Sequence, residues 1–140
     1  MIELDFGIAQ QLAEEASPSS AIQVRVGTSN SELVIASMLQ PLITEFGMRG
    51  VYICASRSAT EVIQTMERVG IDTTGIQFID SVSSGFIGGT EVPYPNIRFV
   101  DSPIMLESIM LQTLYHLGEK SDTGNFVILD SVNALSIYNE

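Results

Sequence analysis

Phe126–Val127–Ile128–Leu129–Asp130–Ser131 is the stretch that decides the fold. Four apolar residues in succession are typical of a strand that is covered on both faces, as in a parallel sheet between two helical layers. The run ends in a carboxylate and a hydroxyl, at the end of the strand where open α/β sheets collect their polar side chains. The stretch therefore predicts a central parallel strand with Asp130 at its carboxyl end.

The rest of the chain alternates between strand and helix patterns. Further strands are predicted over Ile22–Val26, Val51–Ala55, Ile76–Ile79 and, as a short one, Ile97–Val100. Helices are predicted over Ile2–Ala16, Ser31–Phe46 with a kink at Pro41, Ser58–Val69, and Ser102–Leu117 with Pro103 in its first position; Val132–Ile137 starts another helix or turn. Such alternation predicts a parallel sheet with right-handed crossovers, and hence a three-layer α/β fold.

The length of the chain suits one domain. The 140 residues divide into an N-terminal helix and linker, 1–20, and a single α/β domain, 21–140. Residues 81–100 are rich in glycine and proline, and a stretch of this length without regular structure is often functional or mobile.

Composition excludes several classes of function. The net charge of −11, from 17 acidic and 6 basic residues, argues against binding to nucleic acid or to an anionic membrane. One cysteine, Cys54, excludes an internal disulfide and a cysteine-rich zinc site. The acidic N-terminus does not resemble a signal peptide, and no apolar run is long enough to span a bilayer. The cytoplasm is therefore the expected location.

The turn after the first strand carries part of a phosphate-binding pattern. It begins with Gly27, but the positions of the second glycine, the lysine and the hydroxyl hold Glu32, Leu33 and Val34. The candidate nucleotide- or anion-binding residues are Gly27, Thr28, Ser29, Asn30 and Ser31. They precede a helix N-terminus, whose free N–H groups attract anions. The alternative is a plain turn capped by Asn30 or Ser31, since Glu32 would repel a phosphate.

This order of elements resembles the RecA/KaiC-like branch of P-loop ATPases, as found in archaeal KaiC-like proteins. The matching stretches are IQVRVGTSNSELVIASMLQPLITEFGMRG from residue 22, VYICASRSATEVIQTMERVGI from residue 51 with FID from residue 78, and FVILDSVNALSIY from residue 126. The resemblance implies a RecA/P-loop-like domain with a mostly parallel four-stranded sheet. Its strand order would place 22–26 beside 126–130, followed by 76–79 and then 51–55.

Departures from that family imply a pseudo-ATPase with a degenerate Walker A loop. The phosphate-loop lysine is missing, and Ser56 and Arg57 stand where the family has acids that polarise the attacking water. Asp130 would be a relic magnesium ligand, or else a strand-end carboxylate bonded to nearby backbone. No catalytic residue and no cofactor are expected, and Mg²⁺ with ATP would bind only if the degenerate loop still holds them.

Two functions follow from the resemblance and its gaps. The first is a non-catalytic domain that acts by protein–protein contact in regulation or signalling. The alternative is a nucleotide- or anion-binding sensor without hydrolysis. A small enzyme with residues 81–100 as a lid is a third hypothesis, but no nucleophile and base stand out, and Cys54 and His116 are expected to be structural.

Acidic residues follow three of the predicted strands. Asp80, Asp101 and Asp130 are expected at one edge of the sheet, where they could hold a divalent cation as a receiver domain does. The chain lacks the acidic pair after the first strand and the well-placed lysine of such a domain.

Protein contacts are expected at two places. The strand Ile22–Val26 is predicted to be an open edge, with Gln23 and Arg25 on its polar face. The helix Ser102–Leu117 is apolar nearly all round and offers Met105 and Ile109 as interface candidates. The partner would be another protein or a second copy, with a homodimer as the expectation. The alternatives are that another segment covers the edge, or that the chain is part of something longer.

Overall fold

A computed structural model describes residues 31–83, 94–117 and 125–131. The elements are α1 (Ser31–Gln40), which continues as a π-helical turn (Pro41–Glu45), β1 (Arg49–Cys54), α2 (Ala59–Arg68), β2 (Ile76–Asp80), β3 (Ile97–Phe99), α3 (Leu106–Leu117) and β4 (Asn125–Asp130). The helix predicted at 2–16, the strand at 22–26 and the turn or helix at 132–137 lie outside the described residues.

All four strands are parallel, in the order β3–β2–β1–β4. The predicted order is wrong where it placed 126–130 beside 76–79, because β1 lies between them and pairs with both. β1 is suited to this central place, since its residues from Gly50 to Cys54 are all buried. β4, which was predicted to be a central strand covered on both faces, is the last strand of the described sheet, and its residues alternate between buried and exposed, with Val127 46% and Leu129 38% exposed. Its predicted neighbour on the other side, 22–26, is outside the described residues.

Helices cover both faces of this sheet, which confirms the three-layer α/β architecture. One face carries Tyr52, Cys54 and Phe78, and α1 and α2 pack against it. The opposite face carries Val51, Ile53 and Ile79, and α3 packs against it. The two faces alternate along each strand because successive side chains point to opposite sides.

The first helix changes from α-helical to π-helical winding at Pro41, the position where the sequence predicted a kink. Proline has no N–H to donate to the preceding turn, so the regular pattern cannot continue through it. The Phe46 N–H donates to the Pro41 carbonyl at 2.9 Å, five residues back. Gly47 then adopts a φ of 60°, a left-handed conformation that ends the helix.

The caps of α2 are formed by residues next to its two ends. The Ser58 hydroxyl oxygen accepts from the Glu61 N–H at 3.2 Å, and Gly70 follows the helix with a φ of 78°. The helix α3 differs, because it begins at Leu106 and not at Pro103. A turn precedes it, in which the Met105 N–H donates to the Ser102 carbonyl at 3.0 Å. Of the helices in the described ranges, none has the length and apolar character needed to cross a bilayer.

Candidate functional site at the carboxyl edge of the sheet

Three strands end side by side and bring two carboxylates to one edge. Cys54, the last residue of β1, pairs with Asp80 of β2 on one side and Asp130 of β4 on the other. Neighbouring strands lie about 4.8 Å apart, so the two aspartates are separated by roughly 10 Å across the sheet. The sequence predicted this gathering. Asp101, the third acid, is exposed two residues beyond the end of β3.

The Asp130 carboxylate is bound by residues of β1 and of the turn after it. Its Oδ1 accepts from the Ser56 hydroxyl at 3.0 Å, and its Oδ2 accepts from the Tyr52 hydroxyl at 2.8 Å. Arg57 Nε lies 3.3 Å from Oδ2, and the two side chains of this ion pair are 23% and 13% exposed. The Ala55 N–H donates to the Asp130 main-chain oxygen at 2.7 Å, which fixes the turn against the strand end.

Ser56 and Arg57, two residues of the turn after β1, both bind the Asp130 carboxylate. A bound guanidinium compensates the negative charge of Asp130 and occupies one of its oxygens. The arrangement therefore favours a closed intramolecular ion pair over an open cation site.

Asp80 has a different set of partners and a structural role. Its Oδ1 accepts from the Val82 and Ser83 N–H groups at 2.8 and 2.9 Å. Its Oδ2 accepts from the Ala59 N–H at 2.9 Å and from the Ser83 hydroxyl at 2.7 Å. The side chain is 1% exposed. A buried carboxylate needs such donors, and Asp80 also stabilises the N-terminus of α2, where negative charge is favourable.

The two ionisable groups on β1 between these acids stay protonated. Burial raises the pKa of the Tyr52 phenol well above its ordinary value, and the charge of Asp130 and its hydrogen bond raise it further. Burial also raises the pKa of the Cys54 thiol, followed by the charges of Asp80 and Asp130. Cys54 is completely buried, so thiolate chemistry is not favoured there, as the sequence indicated.

Most of the predicted anion-binding and edge-strand residues lie outside the described part of the chain. These are Gln23, Arg25 and the turn from Gly27 to Asn30. Ser31 is described and is the first residue of α1. Within the described part of the chain, no three His, Cys, Asp or Glu side chains lie close enough together to hold a metal ion.

The two interface candidates of the predicted helix Ser102–Leu117 differ in exposure. Met105 is 39% exposed, but Ile109 is 5% exposed and packs against the sheet, so it is a core residue and is not available to a partner. His116, near the end of α3, contacts the ring of Tyr115 edge-on with centroids 5.1 Å apart. The helix was predicted to be apolar nearly all round, and the side that packs against the sheet is the one that holds Ile109.

A second feature is an exposed apolar surface that the sequence analysis did not identify. Val127 and Leu129 are in register with Val51 and Ile53, so they lie on the face of the sheet that carries α3. We call the exposed apolar residues of this helix and the last strand the α3–β4 surface. Its residues are all at least 38% exposed: Leu106, Met110, Leu114, Val127 and Leu129.

The helical repeat places three exposed apolar residues of α3 on the side of the helix toward β4. Met105, Ser108 and Gln112 line a small cleft with Phe99 and Val100, so that side of the helix faces β3. Met110 lies about half a turn around the helix from Ser108 and Gln112, on the side toward β4. Leu106 and Leu114 are four residues before and after Met110 and share its side.

No protein-family model matches the chain, and no curated protein or solved structure matches it significantly. The RecA/KaiC-like identity therefore remains a proposal.

Proposed function

We propose that the chain is a non-catalytic, RecA/KaiC-like domain that acts in the cytoplasm by protein–protein contact, in a regulatory or signalling role. The observation that carries the proposal is the Arg57–Asp130 ion pair, closed by Tyr52 and Ser56. It stands at the edge of the sheet where open α/β sheets bind ligands.

Hydrolysis of a nucleotide at this edge would require Asp130 to face a magnesium ion. That ion would have to displace a guanidinium and two hydroxyl groups, all supplied by the chain itself. The lysine that would hold the phosphates is replaced by Leu33. Since enzymes of this class act by positioning and by charge stabilisation, losing both elements removes the main sources of rate enhancement.

Exposed apolar side chains support contact with a partner. On α3, Met110, Leu111, Leu114 and Tyr115 are 58–71% exposed. Contiguous apolar surface of this kind often marks a protein-binding site. The partner is another protein or a second copy of the chain.

One observation favours the alternative, an anion or nucleotide sensor without hydrolysis. α1 begins at Ser31, at the end of the predicted anion-binding turn, and Arg57 lies at the carboxyl edge of the same sheet. A helix N-terminus and a guanidinium both attract phosphate groups.

A calorimetric titration with ATP separates these functions. We expect no saturable heat below about 1 mM ATP, with or without magnesium, because Asp130 is already paired. Magnesium-dependent binding below that concentration would contradict the non-catalytic proposal. Binding of equal strength in magnesium and in EDTA, and weakened by Arg57→Ala, would favour the sensor.

A further inference from the structure

We draw no further inference here: the strongest candidate, the exposed apolar α3–β4 surface, is bordered by residues outside the described part of the chain, and nothing in the structure shows what covers it.

Discussion

Replacing Arg57 by alanine tests the ion pair on which the interpretation of the site depends. Among the residues that the structure describes, the substitution leaves the Asp130 carboxylate with two hydroxyl donors, Ser56 and Tyr52, and no cationic partner. Exposed ion pairs contribute about 0–1 kcal/mol, whereas breaking a buried one costs about 3–5 kcal/mol. The side chains of this pair are 23% and 13% exposed, so we expect a loss of about 1.5–3 kcal/mol.

Urea unfolding followed by circular dichroism measures this loss. With a slope of about 1–3 kcal/mol per molar urea, the midpoint should fall by roughly 1 M. A double-mutant cycle of Arg57→Ala with Asp130→Asn should give a coupling energy of about 1–2 kcal/mol. The matched control is Arg68→Ala, because Arg68 is exposed and its side-chain hydrogen bonds within the described part of the chain, to Thr65 and Gln64, are long at 3.4 Å.

The control should change stability by less than about 0.5 kcal/mol, as surface substitutions usually do. Equal effects of the two arginine variants, or a coupling energy near zero, would mean that solvent screens the Arg57–Asp130 contact. Asp130 would then be available to a cation, and the reasoning about the site would be refuted.

Three further outcomes are expected. Gly50→Ala should lower the free energy of unfolding in urea by about 1–3 kcal/mol, because the added methyl would lie 2.5 Å from ring atoms of Phe126. Phe126→Leu should relieve this clash, and additive costs in the double variant would contradict the explanation. Asp80→Asn should cost about 2–4 kcal/mol and lower the melting temperature, because the amide turns a donor toward N–H groups; a change below about 0.5 kcal/mol would contradict the capping role. The free energy of unfolding should fall at alkaline pH, because burial raises the pKa values of Cys54 and Tyr52 in the folded protein. The folded protein keeps its full stability below the unfolded thiol pKa of about 8.5 and loses stability as the pH rises beyond it. The unfolded phenol adds a further loss above about pH 10. Cys54→Ala and Tyr52→Phe should each flatten that fall between pH 8.5 and 11, and an unchanged slope in both would contradict the assignment.

Local signals predicted the helices better than the sheet. The caps of α2 are local features, because Ser58 binds the N–H of Glu61 in the first turn and Gly70 lies just beyond the last turn. The winding change at Pro41 follows from the missing N–H of proline. The strand order was not predictable in the same way, because β1 and β4 are both apolar runs and their sequences do not say which lies in the centre.

The site shows the same division between local and long-range information. The position of Asp130 at a strand end was predictable, but its hydrogen bond to Tyr52 joins residues 78 positions apart. Ile109 was misplaced for a related reason. A helix that is apolar nearly all round does not show from its sequence which side will meet the sheet, and here Ile109 faces inward while Met110 faces outward.

Paramagnetic broadening by Mn²⁺ in the presence of ATP tests most directly whether Asp130 is closed to a metal ion. Mn²⁺ prefers the same oxygen ligands as Mg²⁺ and broadens the NMR signals of nearby nuclei. We expect no selective broadening of the Asp130 and Ser131 amide signals at equimolar metal and nucleotide. Selective loss of these two signals, reversed by excess Mg²⁺, would contradict the central claim.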